Sequence, residues 1–259
     1  MAQSFFESFD NGIGALSHTW GAHNIDTSVR GQVTVSNTGG LMERPYGPSA
    51  GHGYGTYSFT AALHGNAEGS AILLWPGDDK WPGTEYDVVE VINGQPYGTV
   101  HYRGSDGGDG YNVVNFNGID ETQVHTYTLD WQPGKISYFV DGNYMGAITE
   151  GVKADYAHGG MNETIGLMNR TSEASMTVYD VSYTPMGEKA AEVAVTTPVA
   201  DVWVAASQDP VVSAAVDTGS SSGTSSGGNG GDWLSAYNVL WNQHDGGGAW
   251  EADFWASWV

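Results

Sequence analysis

The sequence predicts an all-β sandwich over residues 1–186. Short runs alternate large apolar residues with small or polar ones at the two-residue period of a strand. The 38 glycines, with plentiful Trp and Tyr, suit short strands joined by turns. No long stretch places its apolar residues at helical spacing. A domain of this size buries a sizeable core.

Each element carries its own signal. "YGTYSFTAAL" sets Tyr57, Phe59, Ala61 and Leu63 on one face of a strand. "HTYTLDW" does the same with Tyr127, Leu129 and Trp131, which reads Trp131 as core. "KISYFVDGNYMGAI" is two strand-like runs around Asp141-Gly142-Asn143, a hairpin signal. "ETIGLMN" and "SMTVYDVSY" close the domain as two further strands. His125 reads as a packing or hydrogen-bonding residue.

Composition changes after the sandwich. Lys189 is the last Lys or Arg, and the 70 positions that follow hold none. Residues 187–231 read as a low-complexity extension, its Ala- and Val-rich part from Ala190 to Val216 either loose or an extra strand pair, ending in the flexible Gly/Ser linker "DTGSSSGTSSGGNGG". Residues 232–259 are short, acidic and aromatic, hold five of the ten Trp residues, and are too few to build a core of their own.

Eight Lys and Arg against 30 Asp and Glu give a formal charge of −22. Nucleic acid and anionic membrane surfaces need a basic footprint, so neither is expected as a partner. Cysteine is absent, which excludes disulfides and thiolate metal sites. No run of 18 apolar residues predicts a membrane-spanning helix, and "MAQSFFESFDNG" lacks the basic and apolar blocks of a secretory leader. The expected form is a monomer.

The stretch "WPGTEYDVVEV" concentrates the chemistry. It puts Glu85, Asp87 and Glu90 into an otherwise buried strand, flanked by Val88, Val89, Val91 and Ile92. On a regular strand Glu85 and Asp87 share a face and Glu90 points the other way. One β-bulge near Val88-Val89 brings all three carboxylates to one face. Glu85 and Glu90 would then stand at the roughly 5–5.5 Å separation of a retaining glycosidase. One carboxylate would attack the anomeric carbon, and a second, protonated, would serve the leaving oxygen. Asp87 would hydrogen-bond to the nucleophile and moderate its charge. A solvated edge strand or a calcium loop are the alternatives. The flanking valines argue against the first, and the missing Gly and Asx at alternate positions against the second.

These residues resemble glycoside hydrolase family 16. "LLWPGDDKWPGTEYDVVE" is similar to that family's Glu-x-Asp-x-x-Glu signature in its longer, bulged form, with a Trp-Pro shortly before it. "YGTYSFTAAL", "TVHYRGSDGGDGY", "GIDETQVHTYTLDWQPGKISYFVDG" and "SMTVYDVSYTP" resemble its flanking segments in order, from about Phe5 to Pro185. The resemblance implies a concanavalin-like jelly-roll sandwich with a substrate cleft. It also implies an endo-acting, retaining hydrolase of a β-linked polysaccharide that requires no cofactor for catalysis. It assigns Glu85 as nucleophile, Asp87 as its helper and Glu90 as acid/base. Tyr86 stands where an aliphatic residue is commoner and is expected on the opposite side of the sheet. A structural calcium is implied on the far face, with Asp180 as a ligand.

Sugar stacking calls for aromatic platforms. Trp75 and Trp81 flank the acid strand, and His101, Tyr102 and Trp20 are further candidates. The C-terminal segment resembles signals read by type I secretion systems, which would make the protein extracellular and that apparatus a partner. A weak glycan-binding role for its aromatics stays open, as do a lectin or a matrix protein built on the same sandwich. Three clustered carboxylates argue against the lectin.

Overall fold

A computed structural model describes residues 4–43, 51–65, 68–157 and 162–187. Contacts divide the chain into Met1–Ala191 and Glu192–Val259, and every described residue lies in the first unit. The expected secretion segment, and the extension and linker beyond Gly187, lie outside the described residues.

Fifteen strands are found among the described residues. In chain order they are β1 (Phe5–Glu7), β2 (His18–Trp20), β3 (Ile25–Asp26), β4 (Val33–Ser36), β5 (Gly40–Met42), β6 (Gly55–His64), β7 (Ser70–Pro76) and β8 (Glu85–Ile92). There follow β9 (Gln95–Arg103), β10 (Asp109–Asn115), β11 (His125–Gln132), β12 (Lys135–Val140), β13 (Asn143–Ile148), β14 (Glu163–Asn169) and β15 (Ser175–Pro185). They form two antiparallel sheets. One runs β10-β9-β8-β7-β14-β5-β2; the other runs β13-β12-β11-β6-β15-β4-β3, with β1 beside β15. A single 3-10 turn, Ala22–Asn24, is the helical structure present among these residues. The fold is the jelly-roll sandwich.

The predicted alternation holds. Tyr57, Phe59, Ala61 and Leu63 of β6 enter the core between the sheets, as do Tyr127, Leu129 and Trp131 of β11. Burying a tyrosine there needs a partner for its hydroxyl. Tyr57 donates to Gly53 O at 2.6 Å, Tyr138 to Thr99 O at 2.8 Å, and Tyr183 to Tyr54 O at 3.1 Å. Asp141 and Gly142 make the turn from β12 to β13, with φ of 51° and 75°. Positive φ at both loop residues is what a two-residue hairpin requires. Asn93 and Gly94 turn β8 into β9 in the same way, with φ of 51° and 71°.

Candidate active site

β8 carries the acids, and its register explains their orientation. Against β9 it pairs Glu85 with His101, Tyr86 with Val100 and Asp87 with Thr99, then resumes with Glu90 opposite Tyr97. Val88 and Val89 together span the place of Gly98, a β-bulge. The β7 side is shifted at the same point. Both valines, with Tyr86 and Val91, belong to the core. Glu85, Asp87 and Glu90 therefore share the opposite face, and Tyr86 lies on the far side as expected. Gly98 suits this spot because a Cβ there would meet the Tyr138 ring at 2.3 Å.

All three acids are nearly sealed from solvent, with 7%, 1% and 5% of Glu85, Asp87 and Glu90 exposed. Glu85 and Asp87 share a hydrogen bond, which requires a proton on one of them. Among the described residues the other Asp87 oxygen, Oδ2, has no hydrogen-bond partner; His101 Nε2 stands 3.4 Å from it. His101 is fixed from behind, its Nδ1 within 3.0 Å of Asp109 Oδ2. Glu90 is approached at Oε1 by the Thr99 hydroxyl at 3.5 Å and at Oε2 by Arg170 Nη2 at 3.4 Å, and it also bonds to the Tyr97 side chain.

These surroundings decide where protons sit. Burial, then the charges of Glu85 and Glu90, hold Asp87 well above the usual carboxylate range. Burial also raises Glu90, against the opposing pull of Arg170 and His101. Burial alone would lower His101, but its bond to Asp109 and the charges of Asp109, Glu85 and Glu90 raise it. Burial thus favours the protonated forms of Asp87 and Glu90, and Asp87 shares its hydrogen bond with the third acid of the strand, Glu85. Clustered carboxyls of this kind can supply both an attacking carboxylate and a proton donor.

The aromatic candidates separate. Trp81 is half-buried and bridges two others: its ring stacks on Trp75 at 5.7 Å and 14°, and lies 5.4 Å from His101. Trp75 is itself 4% exposed, its indole N–H donating to Asp79 Oδ1 at 2.8 Å, so it backs the platform rather than forming it. Trp20 is also 4% exposed and covers Gly40 at the sheet edge, where a Cβ would meet its ring at 2.0 Å. Four strand positions separate β2 from β8, about 19 Å at the usual spacing. The structure therefore does not bring Trp20 to the acids. Tyr102 is not brought there either. It alternates with His101 and packs against the core, over Gly151 and Gly110.

Tyr111, Tyr97, Asp109, Arg170 and Glu68 belong to this neighbourhood and were not singled out from sequence. Tyr111 faces His101 across the β9–β10 pair, with ring centres 5.9 Å apart. The spacing of Asp109 from His101 across a glycine-rich hairpin was the available signal.

His125 makes the bonds expected of it, with Nδ1 at 2.7 Å from Asp141 Oδ2 and Nε2 at 3.0 Å from Asp120 O. Asp180 lies in the other sheet, accepting from the Thr60 hydroxyl at 3.1 Å. Among the described residues the cluster of Asp87, Glu90 and His101, with ligand atoms within 4.8 Å of one another, has metal-ligand spacing, and Asp180 belongs to no such cluster. Its carboxyl is partly buried and raised by burial.

Residues 16–184 match the family described as "Glycosyl hydrolases family 16". The chain belongs to this family. Within it, the chain is 27% identical over 132 residues to a β-glucanase of Paenibacillus polymyxa, covering 48% of this chain and 55% of that protein. It is 28% identical over 152 residues to "Probable xyloglucan endotransglucosylase/hydrolase protein 12" of Arabidopsis thaliana, covering 54% and 48%. The chain thus spans about half the length of these curated relatives. Family 16 architecture is seen directly in solved structures. The Bacillus licheniformis β-glucanase superposes with a TM-score of 0.55 at 18% identity, covering 71% of this chain and 98% of that one. A β-1,3-1,4-glucanase from a mouse hindgut metagenome gives 0.56 at 17%, covering 71% and 100%.

Proposed function

We propose that the protein is a retaining, endo-acting glycoside hydrolase that cleaves a β-linked polysaccharide by double displacement. The observation that carries this reading is the Val88-Val89 bulge, which turns Glu90 onto the face of Glu85 and Asp87. Glu85 attacks the anomeric carbon as Glu90 gives its proton to the departing glycosidic oxygen. A glycosyl ester on Glu85 results. Glu90, now ionised, takes a proton from water as that water attacks the same carbon, and Glu85 leaves as a carboxylate. Asp87 keeps its proton and donates to Glu85, spreading its charge. His101, anchored by Asp109, holds Asp87 from the other side. Trp81 offers the half-buried ring on which a sugar stacks.

The substrate is a β-glucan or an exopolysaccharide with β-glucose units, in keeping with the β-glucanase relatives. Incubation with a panel of β-glucans, galactans and exopolysaccharides should release reducing ends from at least one glucan, in the β-anomer first by proton NMR. Equal behaviour of wild type and Glu85→Gln on every glycan would overturn the assignment. Polymeric substrate implies an extracellular protein. Removing residues 232–259 should abolish its appearance in the culture medium if they carry the export signal.

A further inference from the structure

The acid face contains one cation that the displacement mechanism does not use. Arg170 follows β14, 80 residues from Glu90 in sequence. A single nitrogen of its guanidinium, Nη2, lies 3.4 Å from Glu90 Oε2 and 3.3 Å from Glu68 Oε1. The arrangement is built into the backbone. Arg170 N donates to Gly69 O at 2.9 Å, and the Thr171 hydroxyl donates to Glu68 O at 3.1 Å. Next door, the Asn169 side chain donates to the carbonyls of Asn37, Thr171 and Ala174 and accepts from Ser70. The segment before β7 is thereby tied to the end of β14, and Glu68 and Arg170 come with it.

We propose that Arg170 and Glu68 act as positioning residues for the acid/base, the shared guanidinium governing how tightly Glu90 holds the proton it donates. This rests on the reading of Glu90 as that group. Glu90 must carry a proton in the first half of the reaction and be ionised in the second. Its other titratable neighbours are Glu85 and Asp87 on its own strand, and Tyr97 and His101 on β9 with Asp109 behind; β7 presents the apolar Ala71. Burial and the acids favour the protonated form; Arg170 favours the ionised one. Both contacts exceed the 2.7–2.9 Å of a tight charged hydrogen bond, so the cation biases Glu90 without locking it as a carboxylate. Glu68, whose side chain is 31% exposed against 7% for Glu90, draws off part of the positive charge. Without it, Glu90 would have one competitor fewer for Arg170.

The test uses paired charge changes. Glu68→Gln should move the alkaline limb of the kcat/KM–pH profile down, and Arg170→Gln should move it up, each by about 0.5–1 pH unit. Arg170→Lys keeps the charge and should return the limb most of the way to wild type. In parallel, the Glu90 carboxyl is titrated by carbon-13 NMR without substrate, its signal assigned by loss in Glu90→Gln. It should titrate lower in Glu68→Gln and higher in Arg170→Gln. An unmoved Glu90 titration, or movement in the same direction in both variants, overturns the inference whatever the activity. If wild type releases no reducing ends but Glu90 moves in opposite directions, the proposed function falls and the charge brace stands. Glu68 is half-exposed, so Glu68→Gln tests the idea even if the Arg170 variants fail to fold.

Discussion

Each sheet contains a register shift beside an aspartate, and the two shifts are mirror images. In β8, Val88 and Val89 both turn into the core, which leaves Asp87 and Glu90 on the outer face. In β15 the register skips Tyr179, and Val178 and Val181 stay in the core while Tyr179 and Asp180 remain outside it. The outcomes diverge because the neighbouring strands differ. β8 is flanked on β9 by Thr99 and His101 and reached by Arg170, so its acids are buried and partnered. Around Asp180, β6 offers Thr60, one hydroxyl of a face whose Ser and Thr side chains bond to each other, as in Ser58 with Thr128 at 2.9 Å. A bulge re-aims a side chain. Whether a site results depends on what adjoining strands present to it.

The sharpest way to break this contrast is to neutralise the acids of the β8 bulge. Glu85→Gln should lower kcat/KM by about 10³-fold or more, and Glu90→Gln by about 10²–10⁴-fold, with circular dichroism unchanged. Deleting Val88 would let Val89 pair with Gly98 and remove the bulge, while parity keeps all three acids outward. The variant should fold, lose the packing of one buried valine, and hydrolyse about 10²-fold more slowly because the acids are respaced. Asp109→Asn weakens the hold on His101 and should reduce kcat roughly 10-fold, a positioning effect visible without a matching rise in KM.

Stability sharpens the comparison further. A carboxyl raised in the folded state contributes stability that is complete below its unfolded value, near pH 3.9, and is lost as pH rises through the folded value. Asp87 is such a group. Asp87→Asn keeps a donor for Glu85, so its thermal midpoint should exceed wild type by an increasing margin from pH 4 upward. Each unit of displacement corresponds to about 1.4 kcal/mol. Asp180→Asn should matter least: an amide oxygen still accepts from Thr60, and chemical denaturation should show a change within about 0.5 kcal/mol.

Sequence carried the local part of this. The offset of Glu90 from Asp87, read against the strand period, located the bulge, and alternation named the core of β6 and β11. The same alternation excludes Tyr102, because His101 and its successor cannot both face the acids. What sequence lacked was distance information. Arg170 meets Glu90 only because β14 lies beside β7, a long-range pairing that no local pattern announces. Trp20 has the composition of a sugar platform, but the four strand positions that separate it from β8 follow from sheet order alone.

That sheet order also has a consequence for inheritance. β7, β8, β9 and β10 are neighbours both along the chain and across the sheet, joined at β8–β9 by the two-residue Asn93-Gly94 turn. Glu85, Asp87, Glu90 and His101 with its anchor Asp109 therefore reside in one uninterrupted stretch from Ser70 to Asn115. Recombination could transplant that cassette whole between relatives, whereas the guanidinium and Glu68 would stay with the recipient. Lineages could thus share the same reacting groups yet differ in working acidity.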